Sequence, residues 1–80
     1  MVTIMVLSEV FGRNVRSARR EKGWTQEQLA FEADVKRSYL SEIESGKRNP
    51  TLDIVEKIAV ALGVKPGALL EESPAATPAS

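Results

Sequence analysis

The stretch Thr25-Gln26-Glu27-Gln28-Leu29-Ala30-Phe31-Glu32-Ala33-Asp34-Val35-Lys36-Arg37-Ser38-Tyr39-Leu40-Ser41-Glu42-Ile43-Glu44-Ser45-Gly46 holds two short helical patterns with almost nothing between them. Thr25 followed three residues later by Gln28 has the spacing of a capping box, which opens a helix by satisfying its free amides. That helix runs to about Ala33 and turns Leu29, Ala30 and Ala33 inward. A second pattern runs from about Arg37 to Glu44 with Leu40 and Ile43 inward, and Gly46 closes it. Only Asp34 and its neighbours separate the two, too few residues to lay the helices antiparallel, so they must cross steeply. Leu29, Ala33, Val35, Leu40 and Ile43 then face the core, and the second pattern keeps a polar outer face of Lys36, Arg37, Ser38, Ser41 and Glu42.

Working outward, Ser8 is placed to cap a first helix ending near Lys22, with Leu7, Phe11, Val15 and Ala18 on one face and Gly23 as its stop. Downstream, Lys47-Arg48-Asn49-Pro50 reads as a loop, and Thr51 caps a fourth helix with Asp53 favourably near its positive end. Leu52, Val55, Ile58, Ala59 and Leu62 form its apolar stripe, and Gly63 ends it. Pro66 suits the first turn of a fifth helix carrying Leu69 and Leu70. Trp24 and Phe31 read as packing residues. No strand pattern or internal repeat appears, so the expected fold is all-α: a compact five-helix domain over 8–72. An apolar extension, 1–7, precedes it, and a tail, 73–80, with two prolines and no apolar period reads as disordered.

Eighty residues, 42% of them apolar, allow one small core. The chain has neither cysteine nor histidine, so disulfides, thiolate metal sites and Ser-His or Cys-His catalysis are excluded. No metal site, cofactor or small-molecule ligand is expected, and the chain does not read as an enzyme. Met1 to Leu7 is too short to span a bilayer and lacks the leading positive charges of a signal peptide, so a cytoplasmic, nucleoid-associated location is expected and no membrane partner. Formal net charge is zero, but Arg13 to Arg48 carries nine basic and six acidic residues, and the acidic excess sits at the two ends. Position matters more than the sum for a nucleic-acid partner.

Gly23-Trp24-Thr25-Gln26-Glu27-Gln28-Leu29-Ala30, then Arg37-Ser38-Tyr39-Leu40-Ser41-Glu42-Ile43-Glu44-Ser45-Gly46-Lys47-Arg48-Asn49-Pro50-Thr51-Leu52, and later Ala59-Val60-Ala61-Leu62-Gly63-Val64, resemble the lambda-repressor/Cro-type (Xre) helix-turn-helix family. The resemblance covers about residues 9–70. Through Leu29-Ala30-Phe31 and Arg37-Ser38-Tyr39 the chain is further similar to the controller proteins of restriction-modification systems. The pattern departs at Lys36, where the family often has a capping Ser or Thr, and at Asp34, which stands for the common turn glycine.

The resemblance implies a transcriptional regulator, repressor or controller, that binds double-stranded DNA as a homodimer on an inverted-repeat operator. It places Arg37, Ser38, Ser41 and Glu42 at base-reading positions, with Lys36 beside them. In chemical terms Arg37 can grip guanine with two bonds and Glu42 can accept from cytosine. It places Gln26, Tyr39, Lys47, Arg48 and Asn49 on the DNA backbone, and Arg19 and Glu44 in a buried pair. The Arg16, Arg20 and Lys22 cluster reads as a solvated face. Ile54, Ala61, Leu69 and Leu70 are the expected dimer surface. Two other functions share the pattern: an antitoxin of the same fold, and a protein-interaction module that has lost DNA binding.

Overall fold

A computed structural model describes residues 7–72. The rest of the apolar extension and the tail expected to be disordered lie outside the described residues. The chain forms α1 (Leu7–Glu21), α2 (Gln26–Ala33), α3 (Arg37–Glu44) and α4 (Leu52–Leu62), followed by a 3-10 turn (Pro66–Leu70). Among the described residues there is no strand, and no helix is long and apolar enough to cross a membrane.

Local signals act where the sequence puts them. The Thr25 hydroxyl accepts from the Gln28 amide at 3.1 Å, while Gln28 Oε1 accepts from the Thr25 amide at 2.8 Å. Thr51 accepts from the Ile54 amide at 3.2 Å. Lys36 precedes α3 without any side-chain cap. Asp34 adopts a left-handed conformation (φ 60°, ψ 47°), and the Asp34 and Val35 amides donate to Phe31 and Ala30 carbonyls at 3.2 and 2.9 Å. This pair of bonds closes the last turn of α2, and aspartate tolerates the left-handed region better than most residues.

Phe11, Val15, Leu29, Leu40, Ile43 and Ile58 are essentially inaccessible and form the centre, with Val55, Ala59, Leu62 and Leu69 around them. Several sequence expectations change at this level. The fifth helix is only a 3-10 turn, and at its end Asn14 Nδ2 on α1 donates to the Leu69 and Glu71 carbonyls at 2.9 and 2.6 Å. Gly67 and a five-residue span supply little helical drive of their own. Ser8 lies inside α1, which already includes Leu7. Phe31 and Leu52 are not packing residues: they are 83% and 82% exposed, since the buried faces of α2 and α4 are turned away from them. Val35 is only half-buried. Leu69 is 3% exposed within a single chain, which removes it from the dimer surface.

Of the described glycines, Gly12 leaves the least room for a side chain. A Cβ there would overlap the Ile43 carbonyl oxygen and stand 3.1 Å from the Glu44 carbonyl. The end of α3 therefore rests directly on the backbone of α1, and the obstructing atoms are main chain that cannot swing aside. Gly12→Ala is expected to destabilise the protein by about 3 kcal/mol, the upper end for overpacking. Urea unfolding would measure it, and an unchanged midpoint would refute the close approach.

Candidate nucleic-acid interface

The site is built on α3 and what fixes it. With eight residues and an uncapped start, α3 is too short to persist on its own propensity. Leu40 and Ile43 seat its inner face in the core, and Glu44 anchors its end. Arg19 Nε donates to Glu44 Oε2 at 2.7 Å and Nη2 donates to Oε1 at 3.1 Å, a two-bond grip. Arg19 Nη1 also donates to the Trp24 carbonyl at 2.7 Å, which ties the turn after α1 to the same point. Gln26 Nε2 adds a third bond to Glu44 Oε1 at 3.1 Å, and Arg16 Nε lies 3.6 Å from that oxygen.

Burial alone pushes the Glu44 carboxyl up. The hydrogen bonds from Arg19 and Gln26 and the charges of Arg19 and Arg16 outweigh it and hold the group below its ordinary 4.5. Glu44 therefore stays ionised and matched to Arg19 at neutral pH.

This anchoring leaves the opposite face of α3 in solvent. Lys36, Arg37, Ser38 and Glu42 are exposed, and Ser41 is half-buried beside them. Lys36, Ser38 and Glu42 line an open cleft of about 410 Å³ with Tyr39, Arg48 and Ile54. Arg37 Nη1 reaches Gln26 Oε1 at 3.4 Å, which brings the start of α2 beside the start of α3. Glu42 accepts from Arg48 Nε, and the Arg48 guanidinium lies 5.0 Å from the Tyr39 ring centre. Tyr39, Glu42 and Arg48 thus form one connected edge of the face.

The remaining residues fall apart from that edge. Lys47 is exposed on the following loop, but Asn49 lines a different cleft with Leu7, Phe11, Pro50, Leu52 and Leu70. Ile54 and Ala61 share one edge of α4, seven residues apart and half-buried, whereas Leu70 belongs to the Asn49 cleft. Arg16 reaches the Glu44 anchor although its cluster reads as a solvated face. Gly12 and Asn14 were not singled out by sequence reasoning at all. Their signal was local: a glycine inside a strong helical pattern, and an asparagine three residues beyond the core residue Phe11. Among the described residues no group of three or more acidic side chains is arranged to hold a metal.

Two short helices crossing at a tight turn, the second with a polar face in solvent, define a helix-turn-helix protein. The helix-turn-helix family model matches residues 15–69. Control protein C.BamHI of Bacillus amyloliquefaciens is 52% identical over 63 residues, 78% of each chain. The solved restriction-modification controller protein C.AhdI of Aeromonas hydrophila is 40% identical, with a TM-score of 0.75 over 78% of this chain and 94% of that one. The hypothetical transcription factor NHTF from Neisseria reaches a TM-score of 0.83 at 33% identity, covering 95% and 93%. The chain belongs to the helix-turn-helix family of lambda-repressor/Cro (Xre) type.

The anchor has a measurable signature. A carboxyl whose folded-state pKa is depressed stabilises above its ordinary value and loses that contribution as pH falls through the folded value. Stability should therefore fall as pH drops below 4.5. Glu44→Gln should cost about 3–5 kcal/mol at neutral pH, because Arg19 is left buried without its counter-charge, and should flatten that acid limb. Urea unfolding across pH 3–7 (a range of roughly the carboxylate titration) checks both. Parallel curves for the two proteins would show that Glu44 is not the group responsible.

Proposed function

We propose that this protein works as a homodimer on an inverted repeat in duplex DNA, with α3 of each subunit in the major groove, as a controller-type regulator in the cytoplasm. That it is a DNA-binding transcription regulator follows from its family. The observation that carries the finer reading is the exposed polar face of α3, held from behind by the Glu44 anchor. A helix so presented fits the major groove, where Arg37 reads guanine and Ser38 and Ser41 meet neighbouring base edges. Lys36 is committed to the same surface. Glu42 serves through Arg48: their pair presents the guanidinium toward the backbone, and the carboxylate remains able to accept from cytosine.

Gln26 anchors a phosphate at the start of α2, where free amides favour an anion. Tyr39, Lys47 and Arg48 flank the groove on the other side, and Asn49, in the neighbouring cleft, reaches the backbone only from beyond them. The dimer forms through α4 and the turn after it. Ile54, Ala61 and Leu70 are half-buried there, and Leu52 and Val60 leave apolar surface exposed on α4 itself. A two-fold pair would set the two α3 helices about one DNA turn apart. The identity to a control protein supports a role in restriction-modification control.

Binding to the DNA directly upstream of its own gene should give a symmetric footprint and an affinity that falls steeply with salt, since several phosphates are neutralised per dimer. Arg37→Ala should lose about 1–3 kcal/mol and relax selectivity at one base pair in each half-site. Lys47→Ala should weaken all sequences alike. Equal, weak affinity for every duplex, unmoved by Arg37→Ala, would sink the reading, and sedimentation showing a monomer on DNA would remove the dimer.

A further inference from the structure

Gln26 stands between two partners with opposite demands. On its inner side Nε2 donates to Glu44 Oε1 at 3.1 Å, and on its outer side Oε1 accepts from Arg37 Nη1 at 3.4 Å. A carboxylate can only accept and a guanidinium can only donate. An amide offers one donor end and one acceptor end, so only one of its two flips satisfies both neighbours. The reversed amide would set oxygen against the carboxylate and NH2 against the guanidinium. Glu44 does not move to accommodate it: its side chain is 0% exposed and held by two bonds from Arg19. The direction of the Gln26 oxygen is therefore settled in the interior.

We propose that Glu44 is a positioning residue for base recognition: acting through the Gln26 amide, it fixes the acceptor that aims Arg37. The inference rests on the reading of Arg37 as a base-contacting residue. Arg37 is otherwise an exposed, long side chain with wide rotamer freedom, and a guanidinium held in place before docking loses less of that freedom on binding. The second Nε2 hydrogen of Gln26 stays available, so a phosphate contact at the start of α2 is compatible with this role. Recognition is then selective partly because a residue that never meets DNA sets the geometry of one that does.

Gln26→Leu tests this without disturbing the Arg19–Glu44 bonds. Each variant would be used to select sites from a pool of randomised duplex DNA, with side-chain NMR of Arg37 recorded on the free protein. Arg37→Ala should abolish preference at one base pair per half-site. Gln26→Leu should weaken preference at that same pair roughly tenfold, leave the other pairs unchanged, and increase Arg37 side-chain motion in the absence of DNA. In the Arg37→Ala background it should change selectivity no further. Glu44→Gln, if folded, should mobilise Arg37 with Gln26 still present; if it does not fold, the Gln26→Leu result decides. Uniform weakening on all sequences with Arg37 motion unchanged would overturn the proposal and leave Gln26 a phosphate anchor only. An Arg37→Ala variant with unaltered base preference would overturn the underlying reading instead.

Discussion

The buried pair of Arg19 and Glu44 is the constraint on which the rest of the molecule depends. It joins the last turn of α1 to the last turn of α3, and the same arginine holds the Trp24 carbonyl in the turn leading to α2. Three segments are thus referred to one guanidinium. A cation at the end of α1 also sits well with that helix's negative end, whereas Glu44 at the end of α3 does not, so the carboxylate depends on its partners. A buried pair of this kind adds little over an apolar substitute, yet losing one member is costly. Its physical contribution is to choose an arrangement: an apolar contact would tolerate sliding of α3 on α1, and a two-bond fork does not. Gly12 completes the constraint from below, by letting the α3 backbone approach until the fork can close.

The borders of α2, α3 and α4 were legible because each is written in a few adjacent residues. The Thr25–Gln28 box and the Thr51 cap act at the predicted places, and α2 ends at the turn residue Asp34. The polar outer face of α3 was legible for the same reason, since two inward residues fix which side is left. Burial elsewhere was not. Leu52, Phe31 and Leu69 are all apolar at helical spacing, but only the neighbours decide which is covered. Leu69 lies inside, where Asn14 donates to its own carbonyl and to that of Glu71. A sequence pattern records which residues prefer the interior; it does not record a side chain 55 positions away competing for a backbone oxygen. The Gln26 bridge was hidden for a related reason, because its two bonds reach residues 18 and 11 positions further along.

The weak start of α3 becomes intelligible in this light. Lys36 makes no side-chain cap, so the helix gives up a contribution of about 1 kcal/mol that a serine or threonine would supply. The rear of the helix, with Leu40, Ile43 and Glu44 all buried, can carry that loss. A helix held from its far end does not depend on its first turn for initiation, so that turn can carry side chains that do not cap.

The same division explains how a protein of zero net charge can present a surface suited to DNA. Glu44 counts in the formal sum, but it lies inside against Arg19 and projects almost no field outward. Glu42 is matched by Arg48, which itself rests on Tyr39. Setting these pairs aside, Lys36, Arg37 and Lys47 are exposed around α3 and Arg13 and Arg20 along α1, with Asp34 the exposed carboxylate that shares the Lys36 cleft. The acidic residues that restore neutrality on paper stand largely on α2, α4 and the chain end. Exposed charges about a Debye length apart, ~8–10 Å in physiological salt, scarcely offset one another. The charge that α3 presents is therefore a local matter, and Glu44, the carboxylate that holds the helix in place, is withdrawn from it.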